Sequence, residues 1–209
     1  MYNLDEIQEI AKKLMIRRKV HNERELGSVF YHGERVAKTC ILLREKIMPG
    51  YDVEDTKLVI SSWFHDVSKG IEPHNKYGSI VTREALKDII EAIELNEICE
   101  LIELHCIRRP NKNSYTEILK ILQDADLIDH YGVYEIWMNI QYQAHTNGSI
   151  KTMIKYYSDE FQRQITQDRE KLNHSIAREI FDEKIAFENL FIERLRIEGS
   201  GSIVSLSSE

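Results

Sequence analysis

Residues 63–70 read WFHDVSKG, a histidine and an aspartate side by side behind two large aromatics. An ionised carboxylate near apolar side chains is costly unless something compensates its charge. A metal ion is one such compensator. The reading of this stretch therefore turns on whether further nitrogen and oxygen ligands lie elsewhere in the chain.

Outward from it, apolar residues recur at helical spacing and strict alternation is scarce, which predicts an all-α fold. Helices are expected at about 2–20, 31–48, 54–69, 75–94, 97–107, 115–131, 134–146, 150–168 and 174–197. Pro49-Gly50 and the run from Gly70 to Pro73 punctuate the first half, and Pro110-Asn111 opens a polar loop, RRPNKNS. The Gly/Ser-rich end, GSGSIVSLSSE, lacks periodicity. These features suggest one helical domain over about 1–198 with a flexible tail at about 199–209.

Composition narrows the function classes. At 209 residues and 42% hydrophobic content the chain can bury a sizeable core. A net charge of −7 argues against general nucleic-acid binding, though a local basic pocket for a small anion is compatible with it. No run approaches the roughly 18 apolar residues of a membrane span. The N-terminal MYNLDEIQEIAKKL reads as an amphipathic helix and not a secretion signal. Three cysteines, Cys40, Cys99 and Cys106, match no zinc-finger spacing and suggest reduced thiols in the cytoplasm. Cys99 and Cys106, two helical turns apart, read as packing residues.

The unusual polar residues share the inward stripes. Positions 32, 36, 40, 43 and 47 are His, Val, Cys, Leu and Ile, so His32 heads an apolar face. His105 shares a face with Ile98, Leu101 and Ile102, and Asp126 lies on the line of Leu119 and Leu122. Singly, each is readable as a hydrogen-bonded core residue or a cap. Jointly, several helices each supply an imidazole or carboxylate, a donor set suited to Zn, Mn, Fe, Ni or Co.

The ordered set His32, His65-Asp66 and Asp126 resembles the H…HD…D pattern of the HD superfamily of metal-dependent phosphohydrolases. The surrounding segments YHGERVAK, WFHDVSKG, HNKYGSIVTREAL and ILQDADLIDHYG resemble that family's successive motifs over about residues 28–132. The resemblance implies a helical bundle of the HD-domain type with additional C-terminal helices. It also implies that His32, His65, Asp66 and Asp126 bind one divalent ion (Mn, Co, Ni, Zn, Fe or Mg), with Asp66 and Lys69 catalytic. His74 and His105 stand where some branches hold a second metal; here they are expected to line the phosphate pocket, with two ions left open. Lys69 is either a phosphate contact or a surface lysine at a helix end. Arg35 either meets phosphate or braces a ligand carboxylate, and Asp129 is a supporting residue of the same kind. Arg108, Arg109 and Lys112 form a basic loop that either gates an anion or is a solvated run. His21, His130, His145 and His174 are expected at surface or packing positions.

The implied function is hydrolysis of a small anionic substrate, a nucleotide, with release of pyrophosphate from a nucleoside triphosphate as the leading reaction. A 5′-nucleotidase on monophosphates comes next, then a di-iron oxygenase, then a non-catalytic nucleotide or metal sensor. Alarmone hydrolases resemble HD followed shortly by a Glu-Asp pair; here the sequence continues VSKGIEPHNKYG, which departs from that subgroup. The physiological metal and the oligomeric state are not readable from the chain.

Overall fold

The helical spacing is realised as helices. The computed structural model describes residues 2–108 and 114–202, and among the described residues there are nine α-helices and no strand. They are α1 (Leu4–Met15), α2 (Ser28–Ile47), α3 (Asp55–Phe64), α4 (His74–Leu86), α5 (Ala92–Leu104), α6 (Glu117–Asp129), α7 (Val133–His145), α8 (Ile150–Lys171) and α9 (Ser175–Gly199). Arg109 and Lys112 of the expected basic loop lie outside the described residues, as do residues 203–209 of the expected tail.

Three helices are shorter than their apolar spacing suggests, each for a tertiary reason. α1 stops at Met15, and Arg18 instead donates to the Val67 and Lys69 carbonyls. α3 stops at Phe64 and passes into tight turns, with Val67, Lys69 and Ile71 N–H each bonded three residues back. α4 stops at Leu86, whose carbonyl accepts from both Ile89 and Ile90 before α5 begins. Periodicity does not register such a corner, because Leu86, Ile90 and Leu95 all remain buried across it.

Two apolar clusters flank a polar layer. One gathers Leu43, Leu58, Leu122, Tyr157, Phe161 and Phe181; the other gathers Ile7, Met15, Ile60, Phe64, Ile98 and Ile102. Helices α2, α3 and α5 contribute to both, so the layer between the clusters is bounded by the same helices that carry the unusual polar residues. Burial of each large side chain contributes about 1.5–3 kcal/mol. That supply supports a polar layer that would otherwise be unfavourable.

Close backbone approach sets the spacing within the layer. A Cβ added at Gly33 on α2 would stand 2.9 Å from the Ser62 carbonyl oxygen and 3.1 Å from that of Trp63. Below this contact the buried Arg44 guanidinium grips Asp55 with a two-point fork of 2.7 and 2.5 Å, tying α2 to the start of α3.

The C-terminal helices do more than cover the bundle. The fully buried Asp124 of α6 accepts from Asn173 N–H and His174 N–H, at 2.7 and 3.0 Å, and so fixes the entry to α9. From α9, Lys184 donates to the Ile128 and Tyr131 carbonyls, while Glu188 accepts the Gly132 N–H. The other Glu188 oxygen is buried without a hydrogen-bond partner. Burial, with Glu135 nearby, raises the Glu188 carboxyl to about 8.

Two outcomes follow for stability. Gly33→Ala forces α2 from α3 and lowers stability by about 1–3 kcal/mol, read by urea unfolding; an unchanged midpoint would refute the close-contact account. Because the Glu188 carboxyl lies higher in the folded than in the unfolded chain, its contribution is present below about pH 4.5 and is lost as pH rises through about 8. Glu188→Gln therefore gains in Tm over the native chain between pH 5 and pH 8, and a difference constant with pH contradicts this.

Candidate metal centre

The ends of five helices deliver the polar layer. His32 lies one turn into α2; His65 and Asp66 occupy the turns after α3; His74 opens α4; His105 caps the C-terminus of α5. Asp126 and Asp129 sit in the last turn of α6, and His130 is its C-cap.

The histidines are oriented by what their outer nitrogens hold. His65 Nδ1 donates to the Ser62 carbonyl at 2.8 Å, and His105 Nδ1 to the Ile102 carbonyl at 2.6 Å. A carbonyl only accepts, so these Nδ1 atoms carry hydrogen, and in the neutral ring each Nε2 has its lone pair for a cation. His32 Nδ1 is 2.7 Å from Asp129 Oδ2, and His74 Nδ1 is 2.9 Å from Glu72 Oε2. Four imidazoles are thus anchored on the outside, with Nε2 turned inward. Such anchoring is how proteins orient metal-ligating histidines.

Inside, the Nε2 atoms meet two carboxylates. His32 Nε2 lies 3.1 Å from Asp126 Oδ1 and 3.2 Å from His65 Nε2. His65 Nε2 lies 3.6 Å from Asp126 Oδ1 and 3.8 Å from Asp66 Oδ2. His74 and His105 Nε2 lie 3.5 and 3.6 Å from Asp66 Oδ1. Ligands about 2.0–2.2 Å from one ion stand about 3–3.6 Å from each other in octahedral or tetrahedral arrangement. His32, His65 and Asp66 therefore form a buried donor group of the size a divalent ion needs, and Asp126 closes it from α6. The residues fit a metal.

The electrostatics agree with that fit. Burial works against ionising Asp66, yet the adjacent His65, with His105 and Lys69, holds it well below the usual carboxylate range. Burial also opposes ionisation of Asp126, and hydrogen bonds from His130, His32 and His65 overcome it. Burial disfavours a charged His32, but its bonds to Asp126 and Asp129 raise it to about 9.

The supporting residues are equally defined. Arg35 donates from Nε and Nη2 to Asp129 at 2.9 and 2.8 Å, with its guanidinium 3.8 Å above the Tyr134 ring. Of its two sequence readings, the contact present is the one that braces a carboxylate. Lys69 Nζ lies 3.2 Å from Asp66 Oδ2, with a third of its side chain exposed. Arg108 is neither in the donor cluster nor a free surface charge; it is partly buried and donates to the Gln123 carbonyl at 3.1 Å.

Three sequence expectations need correction or completion. His130 was assigned a surface or packing role, but its Nε2 is 3.5 Å from Asp126 Oδ1, its ring centre lies 4.9 Å from that of His32, and it belongs to a donor group with both. The i,i+4 spacing from Asp126 was the available signal. Cys106 was read as packed, but it is exposed, because α5 ends at Leu104 and the chain turns before the thiol. Arg18, which clamps the turn carrying Asp66, was not singled out at all. His174 does pack, against Asp124, while His21 and His145 are exposed.

His130 also lines a cleft of about 1050 Å³ between α7 and α8, with Arg24, Tyr142, Gln143, Tyr156 and Gln164 on its walls. No helix among the described residues is long and apolar enough to cross a membrane.

No curated protein matches the chain. Among solved structures, Bacillus subtilis YpgQ in complex with ADP is similar with a TM-score of 0.63 at 17% identity, covering 92% of this chain and 96% of that one. A predicted HD superfamily hydrolase from an uncultured Thermotogales bacterium gives 0.61 at 17%, covering 93% and 92%. An HD-superfamily hydrolase from Bacillus thuringiensis gives 0.61 at 18%, covering 94% and 98%. At these identities the likeness shows the fold. The family model described as HD domain matches residues 29–131, the segment that supplies every donor of the cluster. Residues 29–131 are thus an HD domain, set in a helical bundle like those of the similar structures.

Proposed function

We propose that the chain is a divalent-metal-dependent phosphohydrolase acting on nucleotides, with release of pyrophosphate from a nucleoside triphosphate as its reaction. The observation that carries this reading is the set of inward Nε2 atoms facing Asp66 and Asp126 while each Nδ1 is held outside. His32, His65, Asp66 and Asp126 would hold one ion, and His74 and His105 form the adjoining wall. The chemistry such an ion supplies is Lewis-acid polarisation of a phosphoryl oxygen and acidification of a water.

The chain's own groups do the rest. Asp129 and Arg35 hold His32 in place, and Ser62 holds His65, so the donors need little reorganisation on binding. Lys69, paired with Asp66 at its exposed end, is placed to neutralise a phosphate oxygen near the site. His130 belongs both to a donor group and to the wall of the cleft, whose amide and tyrosine side chains suit a base and sugar. Arg24 and Lys171 bring positive charge to walls that also carry Glu23, Glu135, Glu160 and Asp168. That the similar B. subtilis fold binds ADP supports a nucleotide as ligand. In the reaction, the water oxygen bonds to the α-phosphorus and the bond to the bridging oxygen breaks. Pyrophosphate leaves, and the water's proton passes to solvent.

Metal-reconstituted protein offered nucleoside mono- and triphosphates should yield monophosphate and pyrophosphate. Phosphate plus nucleoside would replace this reading with a nucleotidase, and no turnover with any of Mn, Co, Ni, Zn, Fe or Mg would refute the nucleotide assignment. Asp66→Ala should lose metal binding and turnover together; normal activity in that variant rules out the centre. Arg35→Ala leaves all four ligands in place and should weaken metal affinity by about 10–100-fold, measured by competition with a chromogenic chelator. Unchanged affinity would show that the Asp129 brace is immaterial.

A further inference from the structure

The outer face of α7 and α9 is apolar where solvent-facing helix surfaces are ordinarily polar. On α7, Val133, Trp137, Ile140 and Ala144 recur at helical spacing and are exposed; on α9, Phe187 and Leu190 do the same. Val133, Trp137, Ile140, Phe187 and Leu190 are each 42–69% exposed. The two stripes belong to one surface, because Ile140 of α7 and Phe191 of α9 line a common groove of about 300 Å³. Single apolar residues on a surface need no account, but a contiguous patch that includes exposed aromatics marks a contact surface.

Charge indicates what covers it. Along α9 the exposed stripe runs Glu183, Phe187, Leu190, Arg194, at successive steps of four, three and four residues. That order is symmetric about the point between Phe187 and Leu190, with opposite charges at its two ends. A second α9 turned antiparallel about this point sets Phe187 against Leu190 and Glu183 against Arg194, twice over. Both ends are accessible: Arg194 meets Glu198 of its own helix at 3.5 Å, and Glu183 is exposed with no ion pair among the described residues. Helix α7 brings no lysine or arginine to the face, and its glutamate, Glu135, is buried. The net charge of −7 repels a second copy elsewhere, whereas here the charges cancel. A lipid surface would instead call for several lysines and arginines beside the apolar stripe.

We propose that the α7–α9 face is the contact between two copies of this chain, related by a two-fold axis that crosses α9 between Phe187 and Leu190. Such a contact is isologous, so each pairing made by one copy is repeated by the other. It is independent of the metal-centre reading, since none of the candidate donors lies on this face. Helix α9, which holds the end of α6 through Lys184 and Glu188, then stands at the centre of the dimer.

Sedimentation equilibrium of the full chain over a range of concentrations should give twice the chain mass. Glu183→Arg and Arg194→Glu each set like charges together at both ends of the contact and should weaken dimerisation by about 10–100-fold. Mixing the two variants restores opposite charges at both ends. A fluorescently labelled Glu183→Arg chain should therefore pair with an unlabelled Arg194→Glu chain. Misfolding cannot produce that rescue, and circular dichroism of each variant checks its helices. A monomer at every concentration overturns the inference; if the monomer also floats with phosphatidylcholine–phosphatidylglycerol vesicles, the face belongs to a lipid surface. A dimer unmoved by either swap, or weakened variants that fail to pair when mixed, overturns the two-fold contact through α9. An assembly larger than a dimer overturns it too, because a two-fold contact closes on itself.

Discussion

The approach of α2 to α3 at Gly33 is the contact on which the rest of the molecule depends. With no side chain there, the backbone of α2 lies against the Ser62 and Trp63 carbonyls, and His32 and His65 come to 3.2 Å between their Nε2 atoms. The Ser62 carbonyl that limits the approach also accepts from His65 Nδ1. One peptide group thus sets both how near the helices come and which way the imidazole points. Gly78 does similar work on the other side, where a Cβ would meet the His65 carbonyl oxygen at 3.3 Å. Small residues at these crossings exchange side-chain burial for closeness, and closeness is what a shared ligand sphere needs.

Charge is the second constraint. Asp66, Asp126 and Asp129 all remain ionised against the penalty of burial, and the compensation comes from histidines, Arg35 and Lys69. His32, raised to about 9 by its bonds to Asp126 and Asp129, carries part of that balance. A divalent ion offers more charge at one point, reached by both carboxylates and by lone pairs that the protein has already aimed. The cost of assembling those groups is met in folding by two apolar clusters, so binding need not order them. This explains why the donors sit at or near helix ends: such positions let side chains from five helices converge, while the helix bodies remain apolar.

How much of this was legible in the sequence depended on the range of the interaction. The helical class was readable from apolar spacing, and the order His32, His65-Asp66, Asp126 from its resemblance to the H…HD…D pattern, since singly each residue also reads as a core residue or a cap. His74 and His105 were readable as neighbours of the centre through the same resemblance, and His105 also through its apolar face. His130 follows Asp126 by one helical turn but interrupts no stripe, so its place beside His32 was missed. Cys106 was misplaced because spacing continued the helix past Leu104, where the backbone turns. Arg18 reaches carbonyls 49 and 51 residues away, and no local pattern encodes that. Glu188 was hidden within an apparently ordinary amphipathic helix, since a buried glutamate and an exposed one look the same until the partner helix is known.

That glutamate shows why the last helices belong to the site's architecture although they carry none of its donors. Gly132, at φ 85°, redirects the chain two residues after His130, and the residue's N–H would be buried and unpaired without the Glu188 oxygen. Lys184 takes the carbonyls of Ile128 and Tyr131 on the same turn, and Asp124 ties the other side of α6 to the start of α9. The end of α6 is therefore held from three directions, and Asp126, Asp129 and His130 are the residues it presents. A loosened grip would let α6 shift while the His65–Asp66 turn, clamped by Arg18, stayed in place. The candidate donors would then separate with their two supports. The distance between His32 and Asp126, 3.1 Å, is accordingly a property of the C-terminal helices as much as of the helices that bear the pair.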